Sequence, residues 1–126
     1  MAVRGIGVDI CKVERIADSL QRFGERMERR LFTPDEIAYC RHFQDPAPHL
    51  AARFAAKEAA SKALGTGIAA GVAWTQIEVV QPGGRVPTLR FSGAALARFE
   101  QIGATTSHLS LSHDGGLAVA CVVLEG

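Results

Sequence analysis

RFAAKEAASKALGTG, residues 53–67, is the stretch that decides the fold of this chain. It is rich in alanine and has no β-branched residue before Thr66, which predicts a helix. Gly65 and Gly67 then end the helix with residues suited to a tight backbone path. At about 100° per residue, the polar side chains of this helix fall into one strip: Arg53, Lys57, Glu58, Ser61 and Lys62.

The opposite side of this central helix carries small alanines, which let another backbone come close. An acid among fixed cations, on a helix packed tightly from behind, has the composition of a site for a metal ion and a phosphate group. The alternative is an ordinary solvated face with ion pairs between residues four apart. Phe54 lies inside the polar strip, which argues against a plain surface.

Length and composition predict one domain over residues 1–126, because 48% hydrophobic residues are enough for a core. The formal net charge of +1 offers no case for binding nucleic acid or a membrane. No apolar run reaches transmembrane length, and the N-terminus lacks the apolar region of a signal peptide. The 3 cysteines are far apart, which predicts free thiols in a reducing cytoplasm.

Periodicity predicts an α+β fold with a mainly antiparallel sheet packed against the long central helix. The apolar final strand is expected to be central. The predicted elements are a strand at 3–10, a helix at 12–23, a helix from the Thr33 cap to about Arg41, the central helix from near His49, strands at 74–81 and 86–91, a helix at 93–102 capped by Ser92, and strands at 107–113 and 117–124.

Asp9 is a second carboxylate that could bind a metal ion together with Glu58. In the first strand it shares a face with Gly5 and Gly7, which leaves room for something to approach. Mg²⁺ prefers hard oxygen ligands and commonly takes one or two protein carboxylates, so Asp9 and Glu58 could hold it against a phosphate. The alternative is an edge or helix-capping aspartate, and the pattern leaves both open.

Two further features have a functional and a structural interpretation. His113 ends a strand beside a turn, where it could act on a phosphate or as a base, or serve as a structural hydrogen-bond donor. Four arginines lie within nine positions at and after the end of the first helix. They could form a patch for an acidic partner, or be ordinary surface arginines that contribute little singly: Arg22, Arg26, Arg29 and Arg30.

The sequence resembles the holo-acyl-carrier-protein synthases, the small bacterial 4′-phosphopantetheinyl transferases. The resemblance covers nearly the whole chain and rests on GIGVDI at 5–10, RFAAKEAASKALGTGI at 53–68 and SLSHD at 110–114. It implies transfer of 4′-phosphopantetheine from coenzyme A to a serine of apo-acyl carrier protein, in support of fatty acid biosynthesis. It also implies Mg²⁺ and a homotrimer with active sites between subunits.

The resemblance implies roles for particular residues. Asp9 and Glu58 would be the metal ligands, and Glu58 and Lys62 would act in catalysis, with Lys62 near the pyrophosphate. Larger relatives carry a third acidic ligand where this chain has Cys11. The coenzyme A site would include Arg53, Lys57, Ser61, Lys62, Gly65, Thr66, Gly67 and His113. The carrier-protein surface would include Arg15, Arg26, Met27 and Arg30.

Two other functions remain open from the residues. One is a Mg²⁺-dependent phosphohydrolase that uses the same carboxylates with water as nucleophile. The other is a module that binds carrier protein or coenzyme A without catalysis. Release of free phosphopantetheine would indicate the first, and binding without transfer would indicate the second.

Overall fold

The chain folds as strands and helices that match most of the predicted order, and the computed structural model describes residues 1–126. The elements are β1 (Val3–Lys12), α1 (Val13–Phe23), α2 (Glu25–Leu31), α3 (Pro34–Cys40), α4 (Ala47–Leu64), β2 (Ile77–Val80), β3 (Thr88–Phe91), α5 (Gly93–Gln101), β4 (Thr106–Asp114) and β5 (Leu117–Glu125). Short 3₁₀ turns occupy Trp74–Gln76 and Pro82–Gly84.

The strands form two antiparallel sheets, which confirms the α+β class. The larger sheet has the order β1-β5-β4, so the apolar final strand is central as predicted. The smaller sheet contains only β2 and β3. One edge of β3, which begins just after Pro87, therefore has no strand partner. Helix α4 packs against the larger sheet and contributes much of the buried core.

Several element boundaries differ from the predictions. Helix α2 was not predicted, because it is short and charged, and helices of that length are stabilised by tertiary packing more than by propensity. Residues 74–76 form a 3₁₀ turn instead of starting the strand, and β3 begins at Thr88 instead of residue 86. Helix α4 begins at Ala47, before the predicted start, with Pro48 in its first turn. Ser92 precedes α5 without a side-chain cap, whereas the capping box between Thr33 and Glu36 is confirmed.

The face of β1 that bears glycine is covered by α4 itself. A Cβ atom on Gly7 would lie 1.9 Å from the carbonyl oxygen of Ala59, and one on Gly5 would lie 2.0 Å from that of Ala63. The glycines of β1 have no side chain and the alanines of α4 have small ones, so the two backbones can approach each other closely. This packing fixes where Asp9, the next residue on the same face of β1, lies along α4.

No helix in the chain combines the length and the apolar character needed to cross a membrane.

Candidate active site

Asp9 and Lys62 meet where β1 crosses α4. The Lys62 Nζ lies 3.0 Å from Asp9 Oδ1 and 3.1 Å from the carbonyl oxygen of Val8. The Lys62 side chain is 53% exposed and that of Asp9 is 18% exposed, so solvent weakens the ion pair. The ammonium group can therefore leave Asp9 for a stronger anion, such as a phosphate, at small cost.

Glu58 lies one helical turn before Lys62 on the same side of α4. Its side chain is half-buried, and its Oε1 accepts a hydrogen bond from the indole Nε1 of Trp74 at 3.3 Å. Sequence patterns do not link Trp74 to this carboxylate. The indole donor lies in the turn before β2, where periodicity predicts a strand.

Cys11 shows that both carboxylates act on the same small region. Burial raises the pKa of the Cys11 thiol, the charge of Arg15 opposes that shift, and the charges of Asp9 and Glu58 raise the pKa further. The structure places Asp9, Glu58 and Lys62 around the same crossing of β1 and α4.

The donor set at this crossing fits Mg²⁺. Nowhere in the chain do three histidine, cysteine, aspartate or glutamate side chains come together as a metal-binding group. Mg²⁺ does not need such an all-protein cage, since it keeps several waters and binds through one or two carboxylates. Partly accessible Asp9 and Glu58 offer that kind of oxygen donor.

The structure corrects the prediction that Lys57 belongs to the polar strip that faces a ligand, because Lys57 is buried. Its side chain is 0% exposed, and its Nζ donates to Glu36 Oε1 at 2.7 Å, to the Ile77 carbonyl at 2.7 Å and to the Trp74 carbonyl at 3.0 Å. Burial lowers the pKa of Lys57, while the adjacent Glu36 carboxylate opposes that shift. All three ammonium hydrogens of Lys57 have partners inside the protein, so Lys57 cannot contact coenzyme A directly, as its predicted place in the coenzyme A site would require.

Ser61 and Arg53 also lie in the interior. The Ser61 hydroxyl donates to the Glu58 carbonyl at 2.8 Å, within α4. The guanidinium of Arg53 lies 4.2 Å from the ring centre of Tyr39 and donates to Gln81 Oε1 at 3.3 Å. The predicted strip is therefore divided, because elements pack against α4 on both sides. A direct ligand contact through the Ser61 hydroxyl does not fit this burial, and Arg53 lines a separate shallow cavity of about 240 Å³.

The Gly65–Gly67 segment ends α4 as predicted, with Gly65 in the left-handed region at φ 80°. Gly67 has φ 62°, and its N–H donates to the Ser61 carbonyl at 3.0 Å. The Thr66 hydroxyl donates to the Gly67 carbonyl at 2.8 Å. Arg98 of α5 donates to the Leu64 carbonyl at 2.8 Å, a helix-capping contact that sequence periodicity does not reveal.

His113 lies near the end of β4, on an exposed part of the strand. Its ring centre is 6.2 Å from that of His49, and His49 in turn stacks on Phe43 at 3.5 Å. Burial lowers the pKa of His49, and the charges of Arg53 and His113 lower it further. The histidine pair was not predicted, since the two residues are far apart in sequence.

An open groove lies between α1, α2 and the turn before β2. It has a volume of about 490 Å³ and is lined by Ser19, Phe23, Arg26, Met27, Arg30, Leu31 and Trp74. Arg26 and Arg30 are at its rim, and the guanidinium of Arg30 lies 5.7 Å from the ring centre of Trp74. The structure thus brings three of the predicted partner residues into one groove, whereas Arg15 lies outside its lining.

Comparison with known proteins gives consistent results for sequence and structure. Residues 5–122 match the family described as the 4′-phosphopantetheinyl transferase superfamily. The holo-[acyl-carrier-protein] synthase of Koribacter versatilis is 50% identical over 124 residues, which cover 98% of each chain. That of Trichlorobacter lovleyi is 49% identical over 123 residues and also covers 98% of each chain.

Solved structures of similar proteins share the whole fold. The holo-[acyl-carrier-protein] synthase of Neisseria meningitidis superimposes with a TM-score of 0.88 at 35% identity, covering 99% of this chain and 100% of the other. The Helicobacter pylori holo-[acyl-carrier-protein] synthase, solved in complex with coenzyme A, has a TM-score of 0.84 at 32% identity, covering 95% and 99%.

Proposed function

Because this chain belongs to the 4′-phosphopantetheinyl transferase superfamily, we propose that it transfers 4′-phosphopantetheine from coenzyme A to a serine of apo-acyl carrier protein. The products are holo-acyl carrier protein and adenosine 3′,5′-bisphosphate, and the modified carrier supports fatty acid biosynthesis. The observation that carries the proposal is the ion pair of Asp9 with Lys62 at the crossing of β1 and α4, with Glu58 one helical turn before Lys62. The coenzyme A complex of the Helicobacter pylori relative supports the choice of donor.

The reaction joins the serine oxygen to the β-phosphorus of coenzyme A and breaks the bond from that phosphorus to the bridging oxygen, which leaves with adenosine 3′,5′-bisphosphate. The proton of the serine hydroxyl passes to Glu58 or to water. Asp9 and Glu58 would hold Mg²⁺, which when bound offsets the negative charge of the pyrophosphate. Lys62 is placed to release Asp9 and bind a phosphate oxygen, where its charge stabilises the leaving group. The loop at Gly65–Gly67 and His113 remain the proposed contacts to the rest of coenzyme A.

The groove between α1 and α2 is the proposed docking surface for the carrier protein. Its apolar lining includes Phe23 and Met27, and its rim carries the exposed cations of Arg26 and Arg30. Carrier proteins of this class are acidic, so charge complementarity would speed their encounter with this rim and weaken with salt. Arg15 extends the same basic surface along α1.

Intact-mass analysis of apo-acyl carrier protein, incubated with this chain, coenzyme A and Mg²⁺, tests the function. The expected result is a mass increase of one phosphopantetheine on the carrier, abolished by changing its acceptor serine to alanine. Free phosphopantetheine with an unmodified carrier would instead identify a phosphohydrolase. Binding of both substrates without any mass change would identify a module that has no catalytic activity.

A homotrimer is proposed from the family resemblance, and the outer face of the larger sheet supports a subunit interface. Ile6, Val8 and Ile10 point away from α4 and are 68%, 57% and 63% exposed. The same face continues onto β5, where Val8 pairs with Cys121 and Ile10 with Val119. A continuous apolar sheet face of this kind is typical of a subunit interface.

Val8→Asp is expected to convert the assembly to monomers, because a carboxylate at the centre of an apolar interface loses its hydration without gaining a partner. Sedimentation velocity measures the change, and circular dichroism checks that the fold persists. Val86→Asp is the matched control, since Val86 is 72% exposed outside the sheet. A wild-type chain that sediments as an active monomer would contradict the trimer.

A further inference from the structure

We propose that Trp74 is a positioning residue for Glu58, an inference that rests on the proposed role of Glu58 as a metal ligand. Trp74 precedes β2 in a 3₁₀ turn and donates its indole N–H to Glu58 Oε1. The residue does not touch the reacting atoms in this scheme. It holds one oxygen of the carboxylate in place and leaves the other free for the metal ion.

The geometry of this contact suits a partner that orients a ligand. The indole nitrogen is a donor only, so the bond has one polarity whatever the protonation of neighbouring groups. Its length of 3.3 Å lies just beyond the usual range of about 2.7–3.2 Å for N–H···O bonds, so the bond is weak. A bond of that length restricts the rotamers of Glu58 without sequestering its charge, which remains available to a cation.

The position of Trp74 is in turn fixed from the protein interior. Its carbonyl oxygen accepts a hydrogen bond from the buried ammonium of Lys57 at 3.0 Å, and Lys57 is held by Glu36. Two consecutive residues of α4 therefore form hydrogen bonds with Trp74. Lys57 bonds to its backbone carbonyl, and Glu58 bonds to its indole N–H. This gives the buried lysine of the predicted polar strip a part in the site without any contact to a ligand.

Trp74 also lines the groove between α1 and α2. The ring lines that groove, and the guanidinium of Arg30 lies 5.7 Å from its centre. Trp74 thus spans the distance between the proposed carrier-protein surface and a proposed metal ligand. The indole of Trp74 therefore borders both proposed sites.

Trp74→Phe keeps an aromatic ring in the groove, although a smaller one, and removes the hydrogen-bond donor to Glu58. Partners that orient metal ligands typically contribute about 10- to 100-fold to metal affinity, and the long bond places Trp74 near the lower end of that range. We therefore expect the Mg²⁺ concentration for half-maximal transfer to rise about 10-fold. Because Trp74 also lines the docking groove, the KM for the carrier protein is measured separately. Saturating Mg²⁺ should restore most of the lost transfer rate, which a purely structural role would not predict.

A measurement without turnover accompanies this assay. Mn²⁺ binding to the chain in the absence of coenzyme A, followed by electron paramagnetic resonance, should weaken by the same factor in Trp74→Phe. Tyr39→Phe is the control, because it removes an aromatic hydroxyl elsewhere on the molecule. Unchanged Mn²⁺ affinity in a folded Trp74→Phe variant would overturn the inference even if the wild type transfers phosphopantetheine normally.

The wild-type chain offers a second readout that needs no folded variant. Trp74 is its only tryptophan, so intrinsic fluorescence reports on this one position. Adding Mg²⁺ should change the emission over the same concentration range that activates transfer. Transfer activity with no emission change would overturn the positioning role alone, whereas absent transfer with intact Mn²⁺ binding would overturn the proposed function alone.

Discussion

Glu58→Gln is expected to lower the rate of phosphopantetheine transfer by at least about 100-fold, as the loss of one preorganised electrostatic group in an active site commonly does. Glutamine has the shape of glutamate, and its amide oxygen can still accept the hydrogen bond from Trp74. The change therefore removes charge and little else. Asp9→Asn should have an effect of similar size, since it removes the other proposed metal ligand and the ion pair with Lys62.

The assay for both variants is intact-mass analysis of the carrier protein at several Mg²⁺ concentrations. Glu100→Gln supplies the control, because it makes the same chemical change at an exposed position on α5. Circular dichroism should show the wild-type fold in all these proteins. Near-normal turnover in both Glu58→Gln and Asp9→Asn would show that the metal ligands have been assigned wrongly.

Gly7→Ala should lower the stability of the fold strongly. The new Cβ would lie 1.9 Å from the Ala59 carbonyl oxygen and 2.8 Å from its carbonyl carbon. Both atoms belong to the backbone of α4, so no side chain can rotate away and the helix must move off the sheet. Overpacking of this kind costs about 3 kcal/mol or more, which lowers the melting temperature by about 10 °C.

Thermal and urea denaturation followed by circular dichroism measure this loss, at one fixed protein concentration because assembly also contributes to stability. Gly83→Ala is the matched control. Gly83 has φ 60°, and an added Cβ would meet no atom within 4 Å, so this variant incurs only the left-handed backbone penalty of about 1 kcal/mol. Equal losses in the two variants would show that the close approach of α4 to Gly7 is not what makes this position sensitive.

Local sequence signals account for most of the elements. The alanine-rich run predicts α4, the capping box at Thr33 predicts α3, and the apolar character of β5 predicts its central place. The signal is weaker where tertiary packing outweighs propensity. Helix α2 is an example, because its charged sequence gains stability only when Met27 is buried against the rest of the chain.

The candidate site is predictable in its members more than in its arrangement. Alternation along β1 places Asp9 on the face of Gly5 and Gly7, and the structure shows α4 against that face. The hydrogen bond from Trp74 to Glu58 could not have been predicted, since it joins residues 16 apart through a turn that has no regular period. The same holds for Arg98, which caps α4 from a distant helix.

The sequence by itself determined that α4 is a helix, that its alanine side can lie close to a strand without side chains, and that Asp9, Glu58 and Lys62 are candidates for one site. These conclusions need only the periods of helix and strand and the size of glycine and alanine. Only the tertiary structure decided that Lys57 is buried while the next residue, Glu58, borders the site. The physical reason is that one residue turns the helix by about 100°, and burial depends on which elements pack on each side.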